Sequence, residues 1–393
     1  MNLWLLTYRH LGAHPLRLLL NLLLLTLGVG IISLLLVMEN ELDRQFRRNL
    51  EGIQMVVGAK GSPLQLILSS VYHLDTPTGN IPLDEAQKLQ KHPLVKKGIP
   101  LAYGDSYKGY RIVGTDSSYL ELYRAKLRAG RIWEGALDIT AGAQVAARLG
   151  LQVGDTFQSQ HGLDGGGEEH AASFRVVGIL KPSGSVLDQL LLTTTSSLWE
   201  VHDHAEDQEH DHEREITAML LQFRSPMGVV ALPRFINENT PLQAALPAYE
   251  ISRLLENIGL GVNVLQGIAL AVILVSGISM FISLYTSLRE RHYELALMRS
   301  LGASRRQIFF LILQEGVLLS FIGAVLGWGA GRIGLWVMGS WAEQMYGYYI
   351  IRLKPLPAEW LLLVAVVIVG GLAALIPAIT AYRSDLSRTL AEG

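Results

Sequence analysis

Apolar residues are concentrated in four long runs, and a long stretch of mixed polarity separates the first run from the second. A helix needs about 20 mostly apolar residues to cross the hydrocarbon core of a bilayer. The runs that reach this length cover residues 16–38, 264–287, 308–332 and 360–382. The pattern therefore predicts a membrane protein with four transmembrane helices.

The first run differs from a cleavable signal peptide in two ways. Its apolar stretch is longer than the core of about 7–15 residues that is typical of a signal peptide. The segment at residues 38–42, M-E-N-E-L, lacks the small residues of a cleavage site. We therefore predict that the first run stays in the chain as a membrane anchor.

Arginines cluster in three segments that lie on one side of a four-helix topology. They are found in the N-terminal flank, in the loop between the second and third runs and in the C-terminal tail: Arg9, Arg17, Arg289, Arg291, Arg299, Arg305, Arg306, Arg383 and Arg388. Short loops rich in Lys and Arg stay in the cytoplasm. We therefore predict a multi-pass membrane protein with cytoplasmic termini and a large extracytoplasmic domain between the first two helices.

The stretch between the first two runs has the patterns of a soluble domain. Short β-like runs occur at residues 110–113, 174–179 and 216–221, and helical patterns occur at 83–90 and 143–149. Alternating apolar positions are typical of half-buried strands, and three- to four-residue spacing is typical of helices. The mixture predicts an α+β domain.

Apolar stripes flank this domain on both sides. The first stripe contains Leu35, Met38, Leu42, Phe46 and Leu50, and the second contains Ile251, Leu254, Leu255 and Ile258. Each stripe has the spacing of one helix face and continues a transmembrane run in phase. This favours two helices that pair as a stalk, and two amphipathic helices on the membrane surface are the alternative.

These patterns divide the chain into three parts. Residues 1–38 contain the N-terminus and the first transmembrane helix, and residues 39–262 contain the stalk helices and the extracytoplasmic domain, with its core at about 53–248. Residues 263–393 contain the other three transmembrane helices. The predicted fold class is a membrane α-helical protein with four transmembrane helices, whose α+β domain is inserted between helices 1 and 2.

The loop between the second and third runs predicts a short helix at residues 289–301. Gly302 suits a left-handed helix end, and Ser304 with Gln307 has the spacing of a capping box that begins the third transmembrane helix. Apolar residues lie among its charges at Leu295, Met298 and Leu301. This pattern can dock into a cleft on a partner, and the alternative is an interfacial helix without a partner.

Residues 294–308, E-L-A-L-M-R-S-L-G-A-S-R-R-Q-I, closely resemble the signature of the FtsX-like permease domain. Further similar segments are residues 8–10, 15–17, 28–30, 314–316, 376–378 and 381–383, together with Gly323, Gly327 and Gly331. Residues 142–155 resemble part of a MacB-type periplasmic core domain. The chain is therefore similar to ABC transporter permeases of the FtsX-like, MacB-type (LolC/E-like, type VII) family.

The resemblance implies an assembly in the bacterial inner membrane, with the large domain in the periplasm. Permeases of this family form homodimers or heterodimers above two copies of an ABC ATPase, and many transmit ATP-driven motion to their periplasmic domains. The loop helix would be the coupling helix that docks on the ATPase. Its candidate residues are Arg289, Glu290, Arg291, Glu294, Leu295, Met298, Arg299, Gly302, Ser304 and Arg305.

The chain carries no G-x-x-x-x-G-K-[ST] phosphate-binding loop. Residues 58–62, G-A-K-G-S, have the wrong spacing for one. We therefore expect a non-catalytic subunit that binds no cofactor of its own, with ATP and Mg²⁺ held by the partner ATPase. Membrane lipids and a periplasmic protein are further expected partners.

Two features inside the third run suggest packing and function. Gly323, Gly327 and Gly331 leave one helix face bare, which allows close packing within the four-helix unit or at a dimer interface; ordinary glycine enrichment is the alternative. Glu315 is a carboxylate within a membrane span, and such residues are usually functional. The alternative interpretation is that Glu315 only pairs with a nearby arginine at the cytoplasmic interface.

A histidine-rich segment contains the motif His-Asp-His twice. Its candidate metal ligands are His202, Asp203, His204, His210, Asp211 and His212. Neutral imidazoles and carboxylates are typical ligands of Zn²⁺. The segment therefore predicts a zinc site, and a solvated acidic loop is the alternative.

Composition narrows the classes of function. Charged residues make up 17% of the chain, against about 25% in soluble proteins. The net charge of −2 gives no support for nucleic-acid binding. Three hypotheses follow: a permease that exports or extracts a lipoprotein, peptide or lipid; a permease of divalent-metal homeostasis; and an FtsX-like regulator of a periplasmic enzyme.

Overall fold

The computed structural model describes residues 15–162, 169–203, 214–346 and 354–383. It divides into two compact units. Residues Met1–Leu42 and Ile258–Gly393 form the first, which we call the membrane unit. Residues Asp43–Asn257 form the second, which we call the inserted domain.

In chain order the helices are α1 (Pro15–Asn49), α2 (Pro63–Ser70), α3 (Leu83–Gln90), α4 (Ser118–Leu122), α5 (Ala143–Leu149), α6 (Thr195–Asp203), α7 (Met227–Asn239), α8 (Pro247–Glu290), α9 (His292–Ser300), α10 (Arg305–Tyr346) and α11 (Pro357–Arg383). The strands are β1 (Met55–Ala59), β2 (Ile81–Pro82), β3 (Val95–Leu101), β4 (Asp105–Tyr107), β5 (Tyr110–Gly114), β6 (Leu127–Gly130), β7 (Asp138–Ala141), β8 (Thr156–His161), β9 (Glu169–Leu180), β10 (Leu191–Thr193), β11 (Glu215–Ile216), β12 (Ala218–Phe223) and β13 (Leu242–Ala245).

Four of these helices, α1, α8, α10 and α11, are long and apolar enough to cross a membrane. Each contains one of the four apolar runs, so the predicted transmembrane helices are confirmed. Many of their large apolar side chains are exposed, including Leu19, Ile278 and Leu372. Exposed apolar side chains on such helices suit contact with lipid, because lipid tails are as apolar as the side chains themselves.

The inserted domain has two main sheets. One is antiparallel with the order β13-β1-β12-β3. The other has the order β6-β9-β7-β10-β5-β4-β8, and β8 also pairs with β9. Because most strand pairings in these sheets are antiparallel and the domain also contains helices α2 to α7, the predicted α+β class is confirmed.

The local predictions within this domain hold, with one correction. Residues 110–113 and 174–179 lie in β5 and β9, and the helical patterns at 83–90 and 143–149 are α3 and α5. The run at residues 216–221 is not one strand, because Thr217 interrupts it between β11 and β12. Thr217 is buried, its N–H donates to Leu101 O (2.8 Å) and its Oγ1 accepts from the Tyr103 N–H (3.0 Å).

The inserted domain holds the last turn of α1 by hydrogen bonds. The Tyr72 hydroxyl donates to Phe46 O and the Tyr123 hydroxyl donates to Asn49 O, each at 3.0 Å. The last carbonyls of a helix lack partners within the helix, so the two hydroxyls satisfy exposed acceptors there. Phe46 also packs on the main apolar core of this domain, as does Leu254 near the start of α8.

A buried polar cluster lies beside Tyr72. His73 has a positive φ of 56°, and its Nε2 lies 2.9 Å from the Tyr119 hydroxyl. The guanidinium of Arg111 is buried over the ring of Tyr103, 5.0 Å from its centre. Burial lowers the pKa of His73 well below its ordinary value, and the charge of Arg111 lowers it further. His73 is therefore neutral in the folded domain at neutral pH.

We expect the inserted domain to lose stability when the pH falls below about 6.5, the ordinary pKa of histidine. Since the pKa of His73 is lower in the folded chain, the unfolded chain takes up the proton first. The free energy of unfolding should fall by up to about 1.4 kcal/mol per pH unit until the folded-state pKa is reached. Thermal unfolding of the purified chain at pH 5 to 8 measures this loss.

The matched variant is His73→Asn, because asparagine tolerates a positive φ and does not titrate. It should show a shallower loss of stability with falling pH than the unsubstituted chain. Equal slopes for the two proteins would show that His73 does not contribute to the pH dependence.

Candidate functional site

The turn that connects α8 to α10 through the short helix α9 is the candidate site. The predicted single helix at residues 289–301 is wrong at its start, because α8 continues to Glu290 and α9 begins at His292. Arg291 lies between them with φ −104° and ψ 15°. Its N–H donates to Ser287 O (3.1 Å) and its carbonyl accepts from the Leu295 N–H (3.0 Å). The two helices therefore meet at one residue.

The other end of α9 is fixed by two caps. Gly302 has the predicted positive φ, 101°, and the Ala303 N–H donates back to Met298 O (3.0 Å). The Ser304 N–H donates to Gln307 Oε1 (2.8 Å), and the Gln307 N–H donates to Ser304 Oγ (3.3 Å). These bonds confirm the predicted capping box, and they make the turn into α10 a locally determined feature.

The side chains of α9 divide between an inner and an outer face. Leu295 is only 8% exposed and packs with Ile308, Ile312 and Ala378, and Met298 packs against the same cluster. The expectation that Leu295 and Met298 form the docking face is therefore corrected: they hold α9 onto α10 and α11.

Three apolar side chains point outward instead. Tyr293, Leu297 and Leu301 are 61%, 48% and 81% exposed. Their spacing of four residues places them along one side of the helix. We call these three residues the outward stripe.

The other predicted coupling residues surround this stripe. Arg289, Glu290, Glu294, Gly302, Ser304 and Arg305 are exposed, and Arg291 and Arg299 are half-buried. The Arg17 guanidinium of α1 donates to both carboxylate oxygens of Glu290, at 3.1 and 3.4 Å. The end of α8 is therefore tied to the start of α1 within the membrane unit.

The glycine face of α10 packs against α1. A Cβ atom placed on Gly323, Gly327 or Gly331 would lie 2.8, 2.6 or 2.8 Å from Leu25 Cβ, Val29 Cβ or Gly30 O. These distances are shorter than normal contacts between non-bonded atoms. Only glycine permits this approach, and the structure places the three glycines at a contact inside the four-helix unit.

Glu315, the predicted intramembrane carboxylate, lies in α10 and faces a cavity of about 30 Å³. The polar residues around it are Arg17, Asn21, Ser283, Ser287 and Arg291. The sequence suggested a nearby arginine as its partner, and the structure brings two arginines to the same cavity.

A second buried carboxylate, Glu359 at the start of α11, was missed by the sequence analysis. It is 1% exposed and accepts from Ser33 Oγ (2.7 Å), Trp328 Nε1 (3.1 Å) and the Leu356 N–H (2.7 Å), and it also pairs with Arg332. One carboxylate thus links α1, α10 and α11. The available signal was the position of Glu359 two residues after Pro357, where a glutamate caps a helix start.

The histidine-rich segment falls outside the described residues. His204, His210, Asp211 and His212 are not described, and of His202 and Asp203 only the backbone is, at the end of α6. Within the described parts of the chain there is no cluster of three His, Asp or Glu residues suited to a metal. The zinc site therefore stays a prediction.

Two family models match the chain. A MacB-like periplasmic core domain matches residues 18–229, and an FtsX-like permease C-terminal domain matches residues 267–386.

Two relatives are similar over most of the chain. An uncharacterized ABC transporter permease of Mycobacterium tuberculosis is 26% identical and covers 75% of this chain, which spans 35% of that protein. The lipoprotein-releasing system transmembrane protein LolC of Neisseria meningitidis serogroup B is 23% identical over 66% of this chain and 65% of its own length. The chain thus spans about a third of one relative and less than two thirds of the other.

Solved structures include two similar domains. The periplasmic region of MacB from Actinobacillus actinomycetemcomitans covers 53% of this chain and 96% of its own, with 12% identity and a TM-score of 0.35. The extracellular domain of the noncanonic ABC-type transporter YknZ from Gram-positive bacteria covers 49% of this chain and 98% of its own, with 13% identity and a TM-score of 0.32.

Proposed function

We propose that this chain, which belongs to the ABC transporter permeases with a MacB-like periplasmic core domain and an FtsX-like C-terminal domain, couples ATP hydrolysis to movement. The part that moves is its periplasmic core domain. A separate ATPase, in two copies, docks on the outward stripe, and a second permease of the same or a different kind completes the assembly. The assembly lies in the bacterial inner membrane with α9 on the cytoplasmic side. This chain itself hydrolyses no ATP.

The observation that carries the proposal is the exposure of the outward stripe. Tyr293, Leu297 and Leu301 are large and exposed, while Leu295 on the same helix is buried. A contiguous apolar surface with a polar rim marks an interaction site. Arg289 and Glu294 supply such a rim, and an aromatic residue among aliphatic ones is typical of an interface centre.

Two continuous helices, α1 and α8, could carry the movement from the membrane unit to the inserted domain. α1 begins in the membrane unit and ends in the inserted domain, and α8 begins in the inserted domain and ends at Glu290. The tyrosine hydroxyls on Phe46 O and Asn49 O tie the last turn of α1 to the domain core. A movement of α1 would therefore reach the core through hydrogen bonds as well as apolar packing.

We expect at least tenfold less of the ATPase protein to co-purify with the double variant Tyr293→Asp, Leu297→Asp than with the unsubstituted chain. Two carboxylates would have to be buried without partners in the interface, which costs more than the 1.4 kcal/mol of a tenfold change. The measurement is affinity purification of the tagged chain in mild detergent, with quantification of the ATPase that accompanies it.

Leu297→Met is the matched control, because it keeps an apolar side chain at the same position. It should retain the ATPase. If the double variant also retains it, the outward stripe is not the docking surface, and contact with lipid headgroups becomes the better explanation of its exposure. Recovery of the chain without any ATPase would argue for a regulator of a periplasmic enzyme instead.

The substrate class that we propose is a lipoprotein, peptide or lipid that is extracted from the membrane or exported. The name of the LolC relative refers to lipoprotein release, which makes lipoproteins the first class to test. A role in divalent-metal homeostasis rests on the two His-Asp-His motifs within residues 202–212, and it is a second candidate on the sequence alone.

A further inference from the structure

Two side chains of opposite charge, Arg17 of α1 and Glu315 of α10, lie beside the turn at Arg291. Glu290 and Arg291 are consecutive, and they mark the end of α8 and the start of α9. Glu290 is bonded by Arg17 of α1. Arg291 and Glu315 of α10 line the same cavity.

The cavity itself is suited to charged side chains. It is bounded by Arg17 and Asn21 of α1, Ser283 and Ser287 of α8, Arg291, and Glu315. A cavity of about 30 Å³ has room for water, since one water needs about 10–15 Å³. Ionisable residues within membrane proteins face such interior cavities and pair with one another there.

A pairing of Arg291 with Glu315 would affect α9, because Arg291 lies where this helix begins. The C-terminal end of α9 is fixed by the capping box of Ser304 and Gln307. Its N-terminal end is the break at Arg291, where a helix can change direction. Leu295 and Met298 hold α9 against α10 and α11. A group that holds Arg291 therefore fixes the N-terminal end of α9 as well, and with it the direction of the outward stripe.

We propose that Glu315 is a positioning residue, whose carboxylate holds Arg291 in the cavity and so sets the orientation of α9 relative to α10. The proposal rests on the proposed function for its biological role, because α9 is there the docking helix for the ATPase. The geometric part stands by itself: Glu315 controls where α9 lies, with or without a bound ATPase.

The absence of cysteine from the chain makes the orientation of α9 measurable. Spin labels can be attached at Ser300→Cys on the exposed side of α9 and at Gly329→Cys, where an added Cβ atom would meet no atom within 4 Å. Pulsed electron paramagnetic resonance on the full chain in detergent then gives the distance between α9 and the outer half of α10.

We expect one narrow distance distribution for the labelled chain, and a shift or broadening of several ångströms in Glu315→Gln, which keeps the shape and removes the charge. Arg291→Gln should give the same change from the other side. The charge exchange Arg291→Glu, Glu315→Arg should restore the narrow distribution, which a purely structural role of either residue would not produce.

Two outcomes would overturn the proposal. One is an unchanged distribution in both Glu315→Gln and Arg291→Gln. The other is a change that the charge exchange does not reverse, because Glu315 would then act through packing and not through Arg291. A failure of the proposed docking function appears separately, as full ATPase retention in the outward-stripe variant, and it leaves the distance measurement valid.

Discussion

Replacing Glu359 by alanine is expected to lower the free energy of unfolding of the membrane unit by about 3–5 kcal/mol, because removing one partner of a buried ion pair leaves the other charge uncompensated. Arg332 is that partner, and its side chain is 11% exposed. Ser33 and Trp328 would also lose their acceptor. Three helices would then meet around a buried guanidinium without a counter-charge.

Unfolding of the purified chain by SDS in mixed micelles measures this effect. Glu256→Ala is the control, because Glu256 is an exposed carboxylate of α8. The double variant Arg332→Met, Glu359→Met should lose less stability than Glu359→Ala, since apolar residues can replace a buried pair at little cost. If Glu359→Ala behaves like Glu256→Ala, the carboxylate does not hold the three helices together.

Replacing Gly327 by leucine is expected to separate α1 from α10 and to cost about 3 kcal/mol, near the upper end of the usual effect of overpacking. The first atom of the new side chain would lie 2.6 Å from Val29 Cβ and 2.9 Å from Thr26 O. Thr26 O is a backbone atom, so the clash cannot be relieved by a rotamer change. The two helices would have to move apart along the whole glycine face.

Gly329→Leu is a closely matched control, since Gly329 lies on the same helix and a Cβ atom placed there would meet no atom within 4 Å. It should be neutral or slightly stabilising, because glycine in a helix interior is unfavourable by about 1 kcal/mol relative to alanine. Thermal unfolding of both variants in the same detergent gives the comparison. Equal losses for Gly327→Leu and Gly329→Leu would mean that α1 and α10 are not in close contact.

The transmembrane helices and the inserted domain could be predicted because their signals are local. An apolar run such as residues 360–382 predicts a membrane helix from its length alone, independently of the rest of the fold. The caps at Gly302 and Ser304 were predictable for the same reason, since each bond joins residues within a few positions. Local patterns of this kind need no knowledge of the tertiary fold.

The faces of α9 could not be predicted, because apolar residues occur on both sides of this helix. Leu295 and Leu297 are equally apolar, and only the positions of Ile308 and Ala378 decide that Leu295 is the buried one. The helix-start position of Glu359 is a local signal, but its bond from Ser33 is not, since Ser33 is 326 residues away along the chain. Such choices depend on tertiary contacts for which one sequence gives no pattern.

The contact between α1 and the glycine face of α10 has a consequence for biosynthesis. A ribosome that adds about 5–20 residues per second needs roughly 15–60 s to make the ~300 residues between Gly30 and Gly327. During that time α1 lies in the bilayer before the glycine face of α10 exists, and Ser33 lacks its final hydrogen-bond partner, Glu359. The newly made anchor must therefore be retained by its own hydrophobicity, so polar substitutions on its lipid-facing side would act on membrane insertion before they act on the finished protein.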